Sequence, residues 1–143
     1  MYTASKKRAI AHRQYMNAHG DGRCAMLAKM YNSVAWKYAR LAKLHSNPVD
    51  ELSLLEHHVE DAQDVHHILK FQDQTDEVTR WQLLTDPDNL ISLSSHTHQM
   101  LHRYPSSLTQ AQHDELERRK ERIIAKYMSL GMQISYTTDY NSK

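Results

Sequence analysis

The segment from Val65 to His102 constrains this chain more than any other. It reads Val65-His66-His67-Ile68, then a polar interval, then Asp86-Pro87-Asp88-Asn89, then Leu90-Ile91-Ser92-Leu93, and closes on His98-Gln99-Met100-Leu101-His102. Residues 64–69 suit a short strand and Leu90–Leu93 a second. The Asp-Pro-Asp-Asn run ahead of the second strand is a strong turn signal. Residues 97–104 fit a short helix, stopped at Tyr104-Pro105. The interval Phe71–Asp88 reads as a polar loop with Trp81, Leu83 and Leu84 as an apolar patch. The local order is therefore strand, loop, strand, helix.

That order gives the histidines distinct places. Neighbouring side chains of a strand point to opposite faces, so His66 and His67 cannot share one task. One can bind a metal while the other faces a water. His98 and His102 are four apart on a helix and lie on one face, as a chelate requires. Three imidazoles with open positions left for water and substrate describe a catalytic rather than a closed structural site. Asn89 enters the second strand, where its amide can pin the opposite backbone and aim a histidine. The chain holds 11 histidines, so isolated pairs arise by chance, and His57-His58 is read as surface histidine. The whole set, in this order, is much harder to obtain by chance.

The flanks are helical in pattern. Three glycines and three prolines in 143 residues favour helices over a turn-rich sheet protein. Residues 24–46 read as two helical pieces, interrupted at Tyr31-Asn32-Ser33 with Ser33 as N-cap. Trp36 is the expected core anchor, and Pro48 ends the second piece. Residues 49–63 are acidic and ambiguous in structure. Thr109-Gln110-Ala111-Gln112 has the form of a capping box. A long helix should run from there to about Leu130, with Gly131 past its end. Leu116, Ile123, Tyr127 and Leu130 are its expected apolar stripe. Met132–Lys143 is read as a loose strand or disordered tail. The expected divisions are a basic arm over 1–30, a core over 31–108, a helix over 109–131 and a tail over 132–143.

Charge is uneven along the chain. Residues 1–45 hold nine Lys or Arg and one acid, Asp21, whereas residues 46–102 hold two basic residues and eleven acids. A basic first third, including Lys6, Lys7, Arg8 and Arg13, binds polyanions through counterion release. Lys37, Arg40 and Lys43 share one side of the second helical piece and are candidate phosphate contacts. There is no apolar run of membrane-spanning length and no signal-peptide pattern. The single cysteine, Cys24, cannot form an internal disulfide, and the expected location is a reducing cytoplasm.

Over roughly residues 31–104 the chain resembles the HNH nuclease family, whose fold is the ββα-metal fold. The likeness rests on Asp64-Val65-His66-His67-Ile68, on Asp86 through Leu93, and on His98. The upstream run Tyr31-Asn32-Ser33-Val34-Ala35-Trp36-Lys37 is similar to small phage HNH proteins encoded beside terminase genes. The His66-His67 and His98–His102 pattern is similar to the DNase colicins. The resemblance implies an α+β, mostly helical fold, with a ββα-metal core between flanking N-terminal and C-terminal helices. It implies His67 as general base, His66, His98 and His102 as ligands of one divalent metal, and Asn89 as the residue that orders loop and base. Asp64 matches an acidic position that pairs with an arginine in the colicin DNases, with Arg40 as the candidate here.

The implied activity is metal-dependent cutting of DNA with low intrinsic sequence specificity. Products would carry 5′ phosphate and 3′ hydroxyl groups, in a bacterial host cell, with a packaging terminase as candidate partner. Imidazole ligands suit Zn²⁺, Ni²⁺ or Mn²⁺ better than Mg²⁺, which availability keeps in play. Rival readings are a non-catalytic nucleic-acid-binding or assembly protein on a degenerate HNH fold, and an RNA nuclease. One departure stands out. Many phage members hold a structural zinc with two CxxC pairs, and the corresponding positions here are Asp50, Ser53, Ser94 and Thr97. No structural zinc is expected.

Overall fold

The computed structural model describes residues 22–136, together with Lys6, Lys7 and Ile10. Most of the expected basic arm, including Arg8, His12 and Arg13, lies outside the described residues, as does the tail beyond Tyr136. The described chain is mostly helical with one small antiparallel sheet. No described helix is long and apolar enough to cross a membrane.

The N-terminal helices are α1 (Gly22–Tyr31) and α2 (Val34–Ser46). The break between them is set by Ser33, whose hydroxyl accepts the Trp36 N–H at 3.1 Å and donates to the Met30 carbonyl at 2.6 Å. A short helix, α3 (Glu51–Leu55), follows Pro48, with Asp50 as its N-cap. Strand β1 (Asp64–His67) pairs with β2 (Leu90–Leu93) in the register His66 to Ile91 and His67 to Leu90. Helix α4 (Glu77–Thr85) lies between the strands, α5 (Ser95–Arg103) follows β2, and α6 (Gln110–Ser129) closes the described fold.

A two-stranded sheet is marginal on its own, and here both faces are covered. Helix α2 packs on one face and α5 on the other. The side chains divide accordingly: His67 stacks on Trp36 of α2, with ring centroids 4.8 Å apart, while His66 faces His98 of α5 at 5.3 Å. Leu52, Phe71, Leu83, Leu84, Leu90, Ile91 and Leu93 are buried between these layers, and Leu116, Ile123 and Tyr127 of α6 join the same core. The boundary expected at residue 108 therefore does not divide the core.

Several expectations need correction. The interval Phe71–Asp88 is not a loop. Phe71 is fully buried, and Glu77–Thr85 is a helix capped by Asp76, whose carboxylate accepts the Thr79 N–H at 3.0 Å. Nine residues dense in polar groups gave too little periodicity, yet the cap was present in the sequence. The first strand ends at His67, not residue 69, because the Asn89 side chain takes both the N–H and the carbonyl of Leu69. Leu130 is 62% exposed. It is the C-cap of α6, and the chain turns back at Gly131, where φ is +74°. The buried row is instead Leu116, Lys120, Ile123 and Tyr127. Residues 132–136 are not a loose tail, since Met132 and Ile134 pack on the core. Gln74 donates to the Ser135 carbonyl at 2.6 Å and accepts the Ser135 N–H at 2.8 Å.

Asp50, Ser53, Ser94 and Thr97 converge in one buried cluster, although 44 residues separate its halves. One Asp50 oxygen accepts the N–H groups of Leu52 and Ser53 at 2.9 and 2.7 Å, and the other accepts the Ser94 N–H at 2.8 Å. The Ser94 hydroxyl donates to Thr97 Oγ1 at 3.1 Å, and the Ser53 hydroxyl lies 3.4 Å from it. Thus a carboxylate and three hydroxyls tie α3 to the start of α5. Burial alone would raise the Asp50 pKa, but the Thr97 hydroxyl and the Ser53 and Ser94 N–H groups outweigh it and hold the carboxyl below its ordinary value. A depressed folded-state pKa stabilises the fold above the unfolded value of about 3.9. That stability is lost as pH falls through the lower folded value. Urea midpoints should therefore drop below about pH 4. They should drop less steeply in Asp50→Asn, which is less stable than the parent at pH 7. Parallel pH profiles for the two proteins would refute this account.

Candidate metal centre

Strand alternation and one helical turn build the site. His66 projects from β1 toward α5, and His98 and His102 sit one turn apart on the face of α5 that meets it. The ring centroids lie 5.3 Å (His66 to His98), 5.1 Å (His66 to His102) and 4.7 Å (His98 to His102) apart. One ligand nitrogen from each lies within 4.8 Å of the others, close enough for the three to bind one metal ion. A tetrahedral ion with bonds of about 2.0–2.1 Å would need these nitrogens about 3.3 Å apart, and Nε2 of His98 and Nε2 of His102 already lie 3.0 Å apart.

The electrostatics suit neutral ligands. Burial, then the neighbouring charges of His102 and His98, hold the His66 pKa well below the ordinary imidazole value. Burial, His98 and Lys70 lower that of His102 as well. Unprotonated imidazoles are the ligand form, so the three rings can serve together as ligands of a metal ion.

Asp64 orients one ligand. Its Oδ2 lies 3.0 Å from Nδ1 of His98. An Nδ1–H donated there leaves the His98 Nε2 lone pair for the ion, the second contact that metal-binding histidines ordinarily carry. The expected arginine partner is thus replaced. Arg40 instead donates to the Gln63 carbonyl at 2.8 Å, anchoring α2 to the approach of β1. Asp64→Ala should weaken metal binding by about 10- to 100-fold while leaving the melting temperature of the metal-free protein nearly unchanged. Calorimetric titration with Zn²⁺ measures this, and an unchanged affinity would exclude the orienting role.

His67 lies on the other face of β1 and is not free. It is 8% exposed, packed against Trp36 and Phe71, and its Nε2–H donates to the Leu84 carbonyl at 2.9 Å. That bond selects the tautomer in which Nδ1 can accept a proton. Burial pulls the pKa down to about 4 against a smaller upward push from the carbonyl. A cavity of about 220 Å³ is lined from both faces of the strand, by His66, His98 and His102 on one side and by His67 and Tyr31 on the other, with Lys70 beside them.

Asn89 sets this arrangement without reaching the cavity. It is fully buried. Its oxygen accepts the Leu69 N–H at 2.8 Å, and its amide donates to the carbonyls of Leu69 at 3.0 Å and Leu83 at 2.9 Å. It therefore ties the end of β1 to the end of α4, one residue from the carbonyl that holds His67. The turn carrying Asn89 is itself gripped by α6, because Asp86 accepts from the Tyr127 hydroxyl at 2.7 Å and from Lys126 at 2.9 Å.

One of the three expected phosphate contacts needs correction. Lys43 is 10% exposed and pairs with Glu51 at 3.1 Å, within a cluster that includes Arg119, so it holds α2, α3 and α6 together. Arg40 commits one N–H to the Gln63 carbonyl and stays partly exposed. Of the three, Lys37 is the one whose residue is exposed. Lys70, which borders the histidines, was missed. It stands three residues past His67, and nothing in its spacing marks it. Comparison with protein-family models, with curated proteins and with solved structures finds no match.

Proposed function

We propose that this chain is a metal-dependent endonuclease of the HNH type, cutting DNA with low intrinsic sequence specificity. The observation that carries this reading is the meeting of three imidazoles at one point with a fourth, neutral imidazole bordering the same cavity. In this reading β1, β2 and α5 form the ββα-metal core. His66, His98 and His102 would hold one divalent cation, which supplies Lewis acidity to the phosphoryl group and the leaving oxygen. Asp64 keeps His98 in the ligand tautomer. His67, with Nε2–H committed to Leu84, offers Nδ1 to take a proton from the attacking water. Lys70 adds positive charge beside the phosphate. The basic residues of the N-terminal third supply affinity for backbone rather than base readout. The phage setting and a terminase partner follow from the resemblance alone.

The test is cutting of supercoiled plasmid by the full chain with Mg²⁺, Mn²⁺, Ni²⁺ or Zn²⁺, beside structured RNA and an EDTA control. Metal-dependent nicking of plasmid, lost in His98→Ala, is the expected result. Cutting of RNA alone would move the reading to a ribonuclease. Metal binding without cutting of either substrate would make the fold a non-catalytic one.

A further inference from the structure

A second concavity adjoins the histidines on the side away from His67. It has a volume of about 160 Å³ and is walled by His66, His102, Lys70, Pro105, Ser135 and Tyr136. It is sized for one small group rather than a duplex. The C-terminal segment forms one wall because the paired Gln74–Ser135 hydrogen bonds and the packing of Met132 and Ile134 on the core hold it there, with Gln74 itself buried. Tyr136 stands at the rim, 54% exposed, with the Lys120 ammonium 5.9 Å from its ring centroid. Lys70, His66 and His102 border both this cleft and the cavity shared by the four histidines, so the two adjoin at these side chains.

The geometry points to Tyr136 as a stacking platform for a single unpaired base, seated next to the phosphate that Lys70 and the three histidines receive. This rests on the nuclease reading and narrows its substrate. An aromatic ring can stack on a base only when that base has left its own helix. The favoured nucleic acid is therefore single-stranded DNA, or duplex with a frayed or gapped strand, rather than intact duplex. Lys70 serves both kinds of DNA, since it meets backbone charge.

The experiment is fluorescence anisotropy of the full chain in EDTA, with a labelled short oligothymidine and, separately, an intact blunt duplex of the same length. Tyr136→Ala should weaken oligothymidine binding roughly tenfold and duplex binding less than twofold, so the duplex also reports that the variant is folded. Tyr136→Trp should restore the oligothymidine affinity. Equal losses on both DNAs, no loss on either, or failure of Tyr136→Trp to restore binding would overturn the assignment. The two readings fail separately. Metal-dependent cutting by the parent with no single-strand effect of Tyr136→Ala sinks the stacking role alone. A single-strand effect without any cutting sinks the nuclease alone.

Discussion

Replacing His67 by glutamine should slow single-turnover plasmid cutting by about 10² to 10⁴-fold, the range for loss of a positioned general base. Zn²⁺ affinity should change little, because His67 lies across the strand from the ligand set. Glutamine is chosen because its amide can still donate toward the Leu84 carbonyl and fill much of the space between Trp36 and Phe71. Alanine would leave a cavity there, and its loss of activity would mix chemistry with packing. The paired readout separates the roles. A variant that binds metal normally and cuts poorly has lost a base. One that loses both has lost the fold of the strand. Cutting within about fivefold of the parent would remove His67 from the mechanism, since even weak general-base catalysis exceeds that.

Asn89→Ala should be strongly destabilising. The substitution strands three buried backbone groups, the N–H and carbonyl of Leu69 and the carbonyl of Leu83. Each orphaned group costs about 1–3 kcal/mol, so a total of at least about 3 kcal/mol is expected. For a chain of this size that lowers Tm by roughly 10 °C. Asn89→Asp should be worse at pH 7, because its carboxylate would face two carbonyl oxygens with no proton to offer. Activity measured well below the lowered Tm should also fall, since Leu84 would no longer be fixed against His67. A Tm shift under about 3 °C in both variants would show that water or a relaxed backbone replaces the amide.

The parts of this molecule that were legible in the sequence are those decided locally. Ser33 and the Thr109–Gln112 box lie within three residues of the N–H groups they cap. Leu90–Leu93 is a short apolar run behind a turn. His98 and His102 share a helix face whatever the rest of the chain does. The parts that were not legible depend on partners far along the chain. Glu51 makes an internal strut of Lys43. Asp64 reaches His98 across 34 positions, and Gln74 reaches Ser135 across 61. A lysine in an ion pair and a lysine facing phosphate look alike in a sequence. The Asp50, Ser53, Ser94 and Thr97 cluster is the intermediate case. Each cap within it is local, whereas the Asp50 and Ser53 contacts to Ser94 and Thr97 span 44 positions.

Helix α6 grips the rest of the fold at two separate places. Near its start Gln112 donates to the Leu52 carbonyl at 2.9 Å, and near its end Tyr127 and Lys126 hold Asp86. At about 1.5 Å per residue, its twenty residues form a rod of roughly 30 Å. The histidine motif is consequently not a portable cassette. Cut out at residue 108 and grafted onto another scaffold, it would arrive without the brace that keeps its own turn in place.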